Sequence, residues 1–140
     1  MRYMIIVRAT PMSEAGIIPD DPQLMADMAS YHEQLAQAGV LLDGSGLRPS
    51  AEGWRIRWGS GRPLVVDGPF AETKELIAGY TVIQVRSPEE AMEWSRRFPR
   101  PFPAGTDCEI EVRRLYELED FGSDPALDRM REIGLGRSER

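Results

Sequence analysis

One histidine, His32, stands in this 140-residue chain beside one cysteine, Cys108, and one lysine, Lys74. Histidine is the residue type whose unperturbed pKa, about 6.5, lies near neutrality, so acid–base chemistry near pH 7 has one natural carrier here. The carboxylate with the most distinctive local setting is Asp67. It closes the apolar run Leu64-Val65-Val66 where Gly68 and Pro69 turn the chain, and a carboxylate at such a strand end can point into a cleft at the mouth of a sheet. Reaching His32, it would fix the imidazole tautomer and raise its basicity, giving an acid–base dyad without a nucleophile. Two plainer roles compete: His32 as a boundary residue hydrogen-bonded to a neighbour, and Asp67 as an acceptor for N–H groups of its own turn. Spacing separates neither pair of roles.

The same counts exclude other chemistry. One cysteine forms no internal disulfide, and Cys108 with His32 supplies only two of the four ligands of a structural zinc site, so no metal is expected. The formal charge is −6 and the sixteen arginines are scattered, the densest pairs sitting beside glutamates, which argues against nucleic acid as a partner. The opening MRYMIIV holds too short an apolar run for a signal-peptide core or a spanning helix, so a cytoplasmic protein with no membrane association is expected. The length suits one domain burying roughly 68–70% of its unfolded surface.

Several elements must position these residues. Tyr3 to Val7 reads as a buried strand, and Pro11 to Asp20 as a loop. Asp21 then offers an N-cap with Pro22 at the first helical position, and Leu24, Met28, Tyr31 and Leu35 follow at helical spacing until Gly39, predicting a helix over 22–38. On that helix His32 falls at the edge of the apolar stripe, about 40° beyond Met28. Val40 to Leu42 reads as a strand ended by Gly44, Gly46 and Pro49. Trp54, Ile56 and Trp58 alternate with Arg55 and Arg57 as a strand with one buried face, and Leu64 to Val66 returns as its hairpin partner. Further elements are a strand from about Ile77 to Val85, a helix capped by Ser87, Pro88 and Glu90 that stops before Pro99, and a strand from Cys108 to Leu115.

Set in order, with the hairpin as an insertion, these elements predict an α+β fold of the ferredoxin-like split β-α-β type, an antiparallel sheet with both helices on one face. The final strand would turn Ile110 and Val112 to the helices and Glu109, Glu111 and Arg113 away. A second copy covering the free face predicts a homodimer, with a small-molecule site between the two sheets. The domain is expected over 1–122, followed by a C-terminal extension, 123–140, holding a short helix (125–133) and a frayed tail.

The run VVDGPFAETKELIAGY, residues 65–80, resembles the signature of YCII-related proteins, in the branch named for Asp67-Gly68-Pro69-Phe70. The resemblance extends from MRYMIIV through YHEQLAQAGVLLDGSGLRPS (31–50) to the strand near Leu115. It implies a dimeric α+β barrel of ferredoxin-like protomers and a cleft with a catalytic histidine and aspartate, which match His32 and Asp67. Gly68, Pro69, Phe70, Lys74 and Tyr80 belong to the same signature and are candidates for lining the substrate cleft. Glu72 and Glu75 fall there too, and for these two and Lys74 a charged turn that closes over the sheet mouth is the plainer reading.

The activity so implied is a cofactor-independent lyase or isomerase, moving a proton in an elimination of the dehydrochlorinase type on a small aromatic or enolisable compound. A second reading is a ligand-binding or regulatory module tied to an extracytoplasmic-function sigma factor. Cofactor-free oxygenases share the barrel, but that analogy is at fold level only.

Overall fold

The computed structural model describes residues 1–136. Among these residues six strands and four α-helices follow in the order β1 (Arg2–Arg8), α1 (Pro11–Glu14), α2 (Pro22–Gln37), β2 (Leu41–Gly46), β3 (Trp54–Arg57), β4 (Leu64–Asp67), β5 (Ile77–Gln84), α3 (Pro88–Arg96), β6 (Ile110–Arg114) and α4 (Pro125–Glu132). The main sheet has the order β2-β5-β1-β6 with every neighbouring pair antiparallel, which is the ferredoxin-like topology, and β3–β4 forms a separate two-stranded sheet.

Local chemistry sets the helix boundaries. Asp21 Oδ1 accepts the backbone N–H groups of Gln23 and Leu24 at the start of α2, and Gly39, at φ 74°, leaves the helix in the left-handed region that glycine enters freely. Ser87 Oγ accepts the Glu90 N–H at the start of α3. The segment expected to be a plain loop holds α1 instead. Thr10 caps it: its hydroxyl accepts from the Ser13 N–H while Ser13 Oγ accepts from the Thr10 N–H, and Pro11 takes the first helical position.

Cross-strand register aligns Ile5 with Thr81 and with Val112, and Tyr3 with Ile83, so these side chains share one face. Both helices pack there. Ile5 and Ile83 from the sheet meet Tyr31 and Leu35 of α2 and Ala91 and Trp94 of α3 in one buried cluster, with Ile110 and Val112 packed against it. The Tyr31 hydroxyl donates to the Trp94 carbonyl at 2.8 Å, joining the two helices. On the other face Glu111 pairs with Arg8 at 3.6 Å, and Arg2 holds Glu117 of the segment after β6 at 3.1 Å.

Three expectations change. Strand β2 runs on through Gly44 and Gly46 rather than ending near Leu42, because it follows the β5 backbone closely: a Cβ on Gly79 would lie 3.0 Å from the Ser45 carbonyl oxygen. The alternation of Trp54, Ile56 and Trp58 marks no face buried within the chain. The β3–β4 ribbon stands apart from the main sheet, leaving Trp54 64% and Trp58 78% exposed. The last strand starts at Ile110, with Cys108 just outside it. Helix α4 buries Leu127, and the frayed tail expected at the C-terminus lies outside the described residues from 137 onward.

Candidate active site: the cavity beside His32

The apolar stripe of α2 has two uses. Tyr31 and Leu35 sink into the core, whereas Met28 and Leu24, one and two turns before Tyr31, are half-buried and wall a cavity of about 660 Å³ between the helix and the sheet. That volume lies within the range of small-molecule sites. Its other walls come from the 16–19 loop, from the end of β2 with Leu47, from β5, and from Phe98 and Phe102. Most of this surface is apolar. His32 and Thr81 are among the few polar side chains on it.

Both nitrogens of the His32 ring are engaged inside the chain. Nδ1 lies 2.8 Å from the Met28 carbonyl oxygen, one turn earlier on α2, and Nε2 lies 2.8 Å from Thr81 Oγ1 on β5. A carbonyl only accepts, so Nδ1 carries the proton and donates it. In the neutral ring Nε2 is then the bare nitrogen and accepts the Thr81 O–H. In the cation Nε2–H donates to the same oxygen, so this hydroxyl serves either protonation state. The ring is steadied by edge contacts with Tyr31 and Phe98, centroids 5.5 and 6.4 Å away, and it lies over the β2 backbone, where a Cβ on Gly44 would stand 3.8 Å from Nε2. Burial pushes the Tyr31 hydroxyl up to about 12, so Tyr31 stays protonated and acts as a packing and tethering group.

The structure does not bring Asp67 to His32 within the chain. Asp67 ends β4 opposite Trp54, is exposed, and is neither a hydrogen-bond partner of His32 nor part of the cavity wall. The adjoining turn fixes the local conformation of Asp67, but β4 belongs to a ribbon separate from the sheet on which α2 packs.

The rest of the signature builds a clasp. Gly68 N–H donates to the Gly53 carbonyl, Phe70 N–H donates to Ser50 Oγ at 3.0 Å, and both oxygens of Glu14 accept from Ser50, one from its N–H and one from its hydroxyl. Gly68 sits so close that a Cβ there would lie 1.8 Å from the Ser50 carbonyl oxygen. The Gly68–Pro69 peptide is cis. Lys74 lies at a smaller cleft with Arg8 and Cys108, and its carbonyl accepts from Arg8. Tyr80 borders the main cavity, while its exposed hydroxyl donates to Asp43 Oδ2 at 3.2 Å and is held above the usual range first by the Asp43 charge. Of the residues singled out in sequence, His32 and Tyr80 therefore reach the main cavity.

Thr81 is a site residue that the sequence alone did not single out. A signal for it exists: it stands between Gly79 and Ile83 on the core-facing register of an apolar strand, and a hydroxyl buried there requires a partner. Among the described residues no group of three or more His, Cys, Asp or Glu side chains is placed to hold a metal ion, and no helix is long and apolar enough to cross a membrane.

The YCII-related domain model matches residues 1–116. An uncharacterized protein of Rhizobium meliloti is 31% identical over 104 residues, which is 74% of this chain and 84% of that relative. Among solved structures, 5-chloro-2-hydroxyhydroquinone dehydrochlorinase from Burkholderia phenoliruptrix, in complex with 2,5-dihydroxybenzoquinone, is 17% identical, with 84% of this chain and 95% of that one covered and a TM-score of 0.45.

Proposed function

Since this chain belongs to the YCII-related family, we propose that its α2 cavity binds a small, largely apolar, phenolic or enolisable molecule and that His32 moves a proton to or from it, as a lyase or isomerase would. The observation that carries this reading is the bare Nε2 of a tautomer held by the Met28 carbonyl, bonded to a hydroxyl that borders the same cavity. The proton passes in a balanced relay. Thr81 Oγ1 takes it from the substrate as the hydroxyl's own proton moves to Nε2, and the substrate keeps the electron pair as an enolate or loses it with a leaving group. The imidazolium then donates to the Thr81 oxygen from Nε2 and to the Met28 carbonyl from Nδ1, which gives Met28 the orienting role first expected of Asp67.

A thermal-shift screen over small phenols and keto compounds tests occupancy, since a ligand at 100 times its Kd adds about 2.7 kcal/mol to the folded state. Hits are expected to lose their shift in His32→Ala and keep it in Asp67→Asn. A flat response across the library contradicts the reading.

One observation favours a second reading, a non-catalytic ligand sensor: both nitrogens of His32 already have partners, as they would in a purely structural histidine. Binding without turnover, together with capture of an extracytoplasmic-function sigma factor, would establish it. Under either reading a homodimer forms through the sheet face opposite α2 and α3, where Met4 pairs with Val82 and Ile6 with Tyr80, and light scattering at micromolar concentration is expected to report twice the chain mass.

A further inference from the structure

A second chamber of about 470 Å³ adjoins the His32 cavity, and the two share Leu47, Arg48, Pro49 and Glu52 as a common wall. Its far side is made by the clasp, with Trp54, Arg55 and Phe70 on it. The Arg55 guanidinium lies over the Phe70 ring, 3.7 Å from its centroid. The guanidinium N–H groups lie in its own plane around its edge, and among the described residues Arg55 has no hydrogen bond or ion pair.

The other charges are accounted for. Arg48 spends only its Nε on Glu52, at 2.9 and 3.0 Å, in a pair exposed enough to open at little cost, and both oxygens of Glu14 are taken by Ser50. The chamber therefore offers unused guanidinium donors of Arg55 and Arg48, and both carboxylates of its wall, Glu14 and Glu52, already have partners.

We propose that this chamber is a carboxylate subsite: the ligand places its apolar ring in the His32 cavity and extends a flexible arm past Leu47 to a terminal carboxylate held by Arg55. The proposal rests on the His32 cavity being a ligand site. A planar monoanion suits the fork of a stacked arginine, while the neighbouring Glu52 and Glu14 disfavour a dianion such as a phosphate. The Asp67-to-Phe70 turn thereby acquires a role, since it seats Phe70, and Phe70 seats Arg55.

The test is an NMR titration of the intact labelled protein with 6-phenylhexanoate, with its primary amide, and with 6-phenylhexylphosphonate. The amide is expected to shift the resonances of Met28, His32 and Leu47. The carboxylate shifts these and also the indole N–H of Trp54, and binds about tenfold more tightly than the amide. Arg55→Gln removes that advantage and leaves the amide unchanged. Arg57→Gln, on the same side of the ribbon but not in the wall, changes neither affinity.

Equal affinities for acid and amide, an unmoved Trp54 indole, an undiminished advantage in Arg55→Gln, or tighter binding of the phosphonate would each overturn the subsite. If the amide still shifts the His32 cavity in such a result, the subsite alone fails. If neither compound shifts it, the reading of that cavity falls as well.

Discussion

Thr81→Val keeps the shape of the side chain and deletes the one hydroxyl that meets His32 Nε2. Thr81 is 3% exposed, so the bond at 2.8 Å is sheltered, and its loss removes about 0.5–1.5 kcal/mol and leaves Nε2 without a partner. Because the ring borders a cavity of about 660 Å³, water can reach Nε2 and hold the full penalty to about 1–2 kcal/mol. Thr81→Ser does the reverse: it keeps the hydroxyl and gives up one methyl group, at about 0.8 kcal/mol. The two variants are thus of comparable stability and opposite in chemistry. The melting temperature is expected to fall by a few degrees in each, on the order of 3–5 °C per kcal/mol for a chain of this length. Proton transfer is expected to survive in Thr81→Ser and to drop at least about 10²-fold in Thr81→Val. Equal turnover in the two variants would refute the relay, whatever their stabilities.

Other outcomes follow from the same packing. Tyr31 ionises only near 12 when folded, against 10 when exposed, so the unfolded chain releases this proton first as pH rises. Folding stability is therefore expected to be whole below pH 10 and to fall by roughly 2–3 kcal/mol between pH 10 and 12, a loss absent from Tyr31→Phe in urea denaturation. At neutral pH Tyr31→Phe removes one of the two donors to the Trp94 carbonyl, which keeps the Arg97 N–H at 3.2 Å, and is expected to cost about 0.5–1.5 kcal/mol. Leu35→Ala empties a fully buried site and is expected to cost about 2–5 kcal/mol by the same measurement. Gly68→Ala drives a Cβ into the Ser50 backbone, so hydrogen exchange is expected to accelerate in β3 and β4 while β1 and β5 remain protected; uniform protection would show that the clasp does not hold the ribbon.

Much of the fold was legible because local rules carried it. The Asp21–Pro22 cap, the 24-28-31-35 stripe and the alternation of Ile110 and Val112 each specify an element and the face it buries. The stripe also placed His32 at its edge, where the structure finds it against a cavity. Other features depended on tertiary approach. Gly44 and Gly46 look like strand breakers in sequence and are strand residues in the sheet, paired with Thr81 and Gly79 of β5, and the close backbone approach falls at Gly79, where a Cβ would lie 3.0 Å from the Ser45 carbonyl oxygen. Trp54, Ile56 and Trp58 alternate as a buried strand would, yet their ribbon leaves the main sheet, and with it goes Asp67. Within the chain Asp67 is not a partner of His32 for the same reason: a long stretch of chain separates the two, and no spacing rule encodes where such a hairpin will lie. Thr81 escaped notice since threonine is an ordinary strand residue until its burial raises the question of its partner.

The proton-transfer reading of the α2 cavity depends on Nε2 of His32 taking up the Thr81 hydroxyl proton as a bound molecule gives one to that oxygen. Loss of deuterium from the α-carbon of an aryl ketone that binds in the screen, followed by NMR in H2O, reads that step without knowledge of the natural substrate. Exchange above the buffer rate is expected in the wild type, retained in Asp67→Asn and reduced to the buffer rate in His32→Asn with binding intact; exchange that persists in His32→Asn would contradict the proton-carrying role of His32.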